Sequence, residues 1–153
     1  MNFLIINGPN LNMLGLREPE IYGSDNYAAL EALVHETCLA EGITAAVMQS
    51  NHEGVIIDAI QAARGKADGI IINPAAFTHT SVAILDALKA VGIPAVEVHI
   101  SDIAAREDFR QISYAGMACV KTIAGQGIDG YRQAILFLKE HLAVSCECGR
   151  GDI

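Results

Sequence analysis

The chain has 153 residues, 52% of them hydrophobic, and a formal charge of −8. That is enough apolar material for one well-packed domain and too little length for two. The acidic balance gives no general attraction to nucleic acid or to an anionic membrane, both of which call for a basic face, so an anionic ligand needs a local cationic pocket. No stretch approaches the roughly 18 apolar residues of a membrane span, and Met1-Asn2-Phe3-Leu4-Ile5-Ile6 lacks the basic region and length of a signal peptide. A cytoplasmic protein is expected.

In chain order, residues 3–7 are a short apolar run that ends in Asn7-Gly8-Pro9-Asn10. Residues 8–26 carry Arg17, Tyr22 and Gly23 and show no apolar period; a loop this long in a compact domain is functional or disordered. Leu30, Leu33, Val34, Thr37 and Cys38 then form a helical stripe that stops at Gly42. A second strand is expected over 43–48. Ser50-Asn51-His52-Glu53 fits a capping box, which makes Glu53 structural, and opens a helix with the stripe Val55, Ile56, Ala59, Ile60 and Ala63. A third strand, 69–73, enters the polar run from Asn73 to Ser81, and a helix follows with Val82, Leu85 and Leu88 on one face. Pro94 introduces a fourth strand, 95–99, which leads into Glu97-Val98-His99-Ile100-Ser101. A fifth, 119–124, precedes a last helix over 129–142 that buries Tyr131, Ala134, Ile135, Leu138 and Leu142. One domain, 1–143, is expected, with a polar tail over 144–153.

Short apolar runs without strict alternation are the mark of strands covered on both faces. Alternating with helices, they predict a three-layer, doubly wound α/β domain of flavodoxin-like type, with a five-stranded parallel sheet in the order 2-1-3-4-5. In that order the switch point lies between strands one and three, so the loops after Asn7 and Asn73 flank a ligand. Glu97 and His99 are two apart on a strand and face the same side, where a carboxylate keeps a proton available on imidazole.

Five motifs, in register from Met1 to about His141, closely resemble the type II 3-dehydroquinate dehydratases. They are Asn7-Gly8-Pro9-Asn10-Leu11-Asn12, Leu16-Arg17-Glu18-Pro19-Glu20-Ile21-Tyr22-Gly23, Gln49-Ser50-Asn51-His52-Glu53-Gly54, the run from Asn73 to Ser81, and Glu97-Val98-His99-Ile100-Ser101. The resemblance implies a lyase that removes water from 3-dehydroquinate by anti elimination through an enolate, giving 3-dehydroshikimate without metal or organic cofactor. The pathway would be aromatic biosynthesis or quinate breakdown. It implies Tyr22 as the base, Arg17 as the cation that makes its phenolate available, and Asn10 as the enolate stabiliser through a bound water. It also implies His99 as the acid for the departing hydroxyl and Glu97 as the carboxylate that orients or charges it. A free tyrosine keeps its proton to about pH 10, and an opposite charge close by moves a pKa by about 1–3 units.

By the same resemblance, Asn73 and the backbone amides of Ile100 and Ser101 receive the substrate carboxylate, while His79 and Arg110 reach ring hydroxyls. Asp86 would be contributed across a subunit boundary of a homododecamer built from trimers, and Arg106 would be supportive. The loop bearing Arg17 and Tyr22 would close over the substrate about Gly15 and Gly23. Some positions depart from the family's usual residues: Ala75 replaces glycine, Phe77 tyrosine, Asp102 asparagine, and Gln111-Ile112 a histidine-containing pair. Ala75 and Asp102 bring a methyl group and a negative charge to the expected carboxylate site.

Cys38, Cys119, Cys146 and Cys148 are too few and too scattered for a disulfide framework, and Cys146-Glu147-Cys148 lacks two further zinc ligands nearby. Reduced thiols and no metal are expected. Two other readings compete: a non-catalytic flavodoxin-like module for a nucleotide or flavin, and an inactive relative that binds a ring acid. Gly8-Pro9-Asn10 lacks the glycine-rich phosphate pattern the first would want, and intact Arg17, Tyr22 and His99 speak against the second.

Overall fold

The computed structural model describes residues 1–16 and 25–148, and only the backbone of 146–148. Strands and helices alternate: β1 (Asn2–Asn7), α1 (Tyr27–Ala40), β2 (Thr44–Gln49), α2 (Glu53–Ala62), β3 (Gly69–Asn73), α3 (Val82–Val91), β4 (Ala95–His99), β5 (Lys121–Ala124) and α4 (Asp129–Cys148). All pairings are parallel, and the order is β2-β1-β3-β4-β5. The expected fold is therefore the observed one.

Two apolar layers hold it together. Phe3, Ile5, Ile71, Val96 and Val98 pack against α1 and α4, while Ile6, Ile70, Ile72 and Ala95 pack against α2 and α3. Successive strand residues point to opposite faces, so a strand buried on both sides needs apolar residues almost throughout. Polar residues are then tolerated only at the strand ends. The register sets Asn7 level with Asn73, and Glu97 level with Thr122, so polar side chains collect along one edge.

Several boundaries differ from the sequence reading. The Ser50 hydroxyl accepts from the His52 amide at 3.0 Å, and α2 starts at Glu53 with His52 as its cap and no side-chain cap bond. The serine lies two residues too early for a capping box and closes a local turn instead. Side-chain caps form elsewhere: Asn26 accepts from Ala29 to start α1, and Ser81 accepts from Ile84 to start α3. Val55 and Val82 are exposed rather than on the buried stripes, and α3 buries Ile84, Leu85, Ala87 and Leu88. β5 begins at Lys121 because Cys119 and Val120 still belong to the turn before it, with the Cys119 amide bonded to Gly116. α4 continues past residue 142 to Cys148, so the first part of the expected tail is helical.

Candidate active site

A cavity of about 450 Å³ opens over the carboxyl ends of β1, β3 and β4. This is the edge at which the strand order reverses and open parallel sheets form crevices.

The β4 side carries the titratable pair. Glu97 is fully buried, and a lone buried carboxylate is costly. The fold supplies donors to it: Thr78 Oγ1 donates to Oε1, Ser113 Oγ lies 2.8 Å from both carboxylate oxygens, and Thr122 Oγ1 donates to Oε2 at 2.9 Å. His99 Nε2 lies 2.9 Å from Oε1, an ion-pair approach rather than an aligned hydrogen bond, since Nε2 has no hydrogen-bonded partner among the described residues. Burial pushes the Glu97 carboxyl up, but His99, Thr78 and Ser113 more than offset it and hold the group below the usual carboxylate range. Glu97 is thus ionised at neutral pH. Because it takes the Nε2 side of the ring, Nδ1 is left for a molecule in the cavity.

The His79 ring stacks on that of His99, with centroids 6.4 Å apart and planes 15° from parallel. Its Nδ1 lies 2.8 Å from the Ile112 carbonyl. A carbonyl only accepts, so Nδ1 carries the proton and Nε2 is left for a ligand.

The β1 and β3 side is built from carboxamides and strained backbone. The Ala75 amide donates to Asn73 Oδ1 (3.1 Å), Asn73 Nδ2 to the Tyr131 hydroxyl (3.0 Å), Tyr131 to Asn7 Oδ1 (2.6 Å), and Asn7 Nδ2 to the Tyr27 hydroxyl (3.3 Å). All four links donate in one direction, which fixes the orientation of both carboxamides. Tyr131 is fully buried, and that burial pushes its phenol well above the ordinary value. Asn73 borders the cavity, yet this chain occupies its oxygen and one N–H, leaving one N–H for a ligand.

Asn10 and Ala75, both lining the cavity, have φ of 68° and 51°. They are the only non-glycine residues with positive φ among the described residues. Asparagine tolerates this region, whereas alanine there costs about 1–2 kcal/mol. The Asn10 amide donates to Asn51 Oδ1 at 3.0 Å, and Gln49 Nε2 donates to the same oxygen and to the Gly8 carbonyl, each at 3.1 Å. Gly8 itself has no room for a side chain, because a Cβ would lie 2.6 Å from the Pro74 carbonyl. The loops after β1 and β3 meet at that point.

Cationic groups complete the cavity. Arg110 Nε lies 2.8 Å and Arg106 Nε 3.5 Å from Glu107 Oε2. The Glu107 carboxyl is held below its ordinary value by its own backbone amide first, then by Arg110 and Arg106. The carbonyls of Ile100 and Ser101 accept from Gly127 and Gly125, while neither of their amides bonds a backbone acceptor among the described residues. Two arginines, both paired with Glu107, thus line the cavity together with Ile100 and Ser101. Asp102 is not among the residues that line the cavity; its Oδ1 accepts from Ala104 and caps the short turn Ile103–Ala105. Gln111 Nε2 reaches the carbonyls of Ile103, Arg106 and Glu107 and stitches the arginine loop. Phe77 packs into the apolar layer under α2 and α3, away from the cavity.

Of the residues singled out in the sequence, Asn10, Asn73, His79, His99, Ile100, Ser101 and Arg110 line the cavity, and Glu97 lies against His99. Asp86 is exposed on α3 and does not line the cavity of its own chain. Arg17 and Tyr22 lie outside the described residues. The sequence gives no individual role to Ser113, Thr122 or the hydroxyl of Tyr131, and names Gln49, Asn51 and Thr78 only as members of motifs. One signal was available, a hydroxyl residue in the strand beside Glu97. Among the described residues, no cluster of three or more His, Cys, Asp or Glu is placed to hold a metal ion.

Residues 1–139 match the family model described as Dehydroquinase class II. The chain is 54% identical to a Neosartorya fischeri protein named Catabolic 3-dehydroquinase 1, over 94% of this chain and 93% of that one. It is also 54% identical to the 3-dehydroquinate dehydratase of Corynebacterium glutamicum, over 86% and 91%. The solved type II dehydroquinase of Butyrivibrio crossotus matches it with a TM-score of 0.89 and 51% identity, covering 91% of this chain and 97% of that one.

Proposed function

The chain belongs to the class II dehydroquinase family and is a 3-dehydroquinate dehydratase, a hydro-lyase; from that premise we propose how its own residues divide the reaction. Tyr22, as a phenolate beside Arg17, takes the proton from the carbon next to the ketone. The bonding pair moves into the carbonyl and forms an enolate, which Asn10 steadies as a preorganised amide, an effect worth about 3–4 kcal/mol at such sites. The enolate then collapses, the neighbouring C–O bond breaks, and the hydroxyl leaves as water with the proton of His99. Tyr22 releases its proton and His99 regains one, closing the cycle.

Glu97, ionised against the Nε2 side of His99, faces the charge of the acid form while Nδ1 addresses the leaving group. The substrate carboxylate sits on the amides of Ile100 and Ser101 with the remaining N–H of Asn73, and His79 and Arg110 bind ring hydroxyls. The observation that carries this division is a buried glutamate 2.9 Å from a histidine that borders a cavity with two arginines in its wall. We also propose a cytoplasmic homododecamer built from trimers, in which Asp86 completes a neighbour's cavity; the exposure of Asp86 outside its own cavity supports this, and light scattering of the purified protein tests the dodecamer.

The reaction is tested by incubating purified protein with 3-dehydroquinate and following the conjugated enone by ultraviolet absorbance. Wild type raises the absorbance and Tyr22→Phe does not. No change with wild type would sink the assignment, and equal rates would remove Tyr22 as base.

A further inference from the structure

We propose that the hydroxyls of Thr78, Ser113 and Thr122 are positioning residues for the acid: they hold Glu97 as a carboxylate and so keep the proton of the Glu97–His99 pair on the imidazole. The proposal rests on His99 as the acid of the dehydratase reaction. In a buried pair the proton has two homes. Carboxylate with imidazolium separates charge, whereas carboxylic acid with neutral imidazole does not, and a low-dielectric surrounding favours the uncharged combination. In the second arrangement the proton on Nδ1 belongs to a neutral imidazole, a far weaker acid than imidazolium, so the pair gives it up less readily.

The groups around Glu97 weigh against that arrangement. Every hydroxyl has one proton to give, and a carboxylate accepts it more strongly than a carboxylic acid does. The Ser113 oxygen accepts from the Gly116 amide at 2.9 Å, which turns its own proton to Glu97. A Cβ on Gly116 would lie 2.7 Å from Glu97 Oε2, 2.7 Å from Ser113 Oγ and 3.1 Å from Thr122 Oγ1, so the cage has no space for one further carbon. The donors come from three separate segments, 19, 16 and 25 residues from Glu97. Such convergence belongs to the tertiary structure, not to one local turn.

The titratable groups that face the carboxylate are His99 on β4 and the Cys119 thiol before β5, with His79 stacked behind His99. Burial first, and Glu97 second, push the thiol up to about 12. It is uncharged at neutral pH, and His99 is left as the partner of the carboxylate charge.

Thr78 is the sharpest probe, because it has no solvent exposure and water cannot replace its hydroxyl. The readout is the C=O band of protonated Glu97 in an infrared pH titration, identified by its loss in Glu97→Gln, together with kcat and KM on 3-dehydroquinate. In Thr78→Val the band appears at a pH about one unit higher, the scale of one hydrogen bond to an ionised group. By the same argument kcat falls about tenfold while KM changes less than about twofold, and Thr78→Ser restores both. Thr122→Val, on the edge strand, shifts the band in the same direction and decides the matter if Thr78→Val does not fold. An unmoved band in a folded valine variant, or a kcat loss that Thr78→Ser does not restore, overturns the proposal. Wild type that makes no enone would instead sink the reaction, and the infrared result reads independently of it.

Discussion

On the β4 side of the cavity the backbone is ordinary and the side chains do the work; on the β1 and β3 side the reverse holds. Glu97 and His99 stand on a regular strand, and three hydroxyls fix the carboxylate. Asn10 and Ala75 instead sit in turns with left-handed backbone, held by the side-chain amides of Asn51 and Asn73. A group that must hold a charge is placed where the backbone is rigid and donors can converge. A group that must aim at the ligand is placed where the backbone turns sharply, and the strain is balanced by hydrogen bonds to neighbouring carboxamides.

The largest effect that separates the two sides is expected from His99→Ala, which removes the proposed acid and should lower kcat by about 10²–10⁴ with the fold intact. The enone assay with far-ultraviolet circular dichroism checks both halves. A kcat within threefold of wild type would move the acid elsewhere. On the opposite side, Tyr131→Phe leaves Asn7 Oδ1 without a donor and Asn73 Nδ2 without an acceptor in a buried place. Denaturant unfolding should show a loss of about 1–3 kcal/mol, and an unchanged midpoint would mean that water or the amides re-pair.

A smaller effect depends on pH. The Glu97 carboxyl lies below its ordinary value of 4.5, so the stability it contributes is present above that value and is lost as pH falls through the lower folded value. The unfolded state takes up this proton first, so wild type should lose stability on acidification below pH 4.5 more steeply than Glu97→Gln, by at most about 1.4 kcal/mol per pH unit. Parallel curves would show that the group is not depressed. The smallest effect is expected from Ala75→Gly. Relief of about 1–2 kcal/mol of left-handed strain, set against about 0.5–1 kcal/mol of added chain entropy, leaves a gain of about 0–1.5 kcal/mol. A loss on thermal unfolding would show that the Ala75 methyl group packs.

The sheet and its order were legible because buried parallel strands write themselves as apolar runs and leave their polar residues at the ends. The Glu97 and His99 pair was legible for the same reason, since a period of two places both side chains on one side. The hydroxyls of Thr78 and Ser113 were not, because they reach Glu97 from loops whose approach only the tertiary packing decides. Tyr131 read as one more member of an apolar stripe, and its ring is one; only the hydroxyl at its tip, set between two asparagines, shows a second duty. Ser50 misled because its sequence fits a cap while its own turn ends before the helix begins.

Tyr131 also sets a timetable for the nascent chain. Asn7 is made well before the hydroxyl that fixes its carboxamide, which follows 124 residues later. A chain halted after β5 has all five strands in hand but no α4, so the Asn7 and Asn73 carboxamides still lack their shared partner. The β1 and β3 side of the cavity is therefore complete only once α4 has docked, and a chain that lacks this helix leaves both carboxamides without their shared partner.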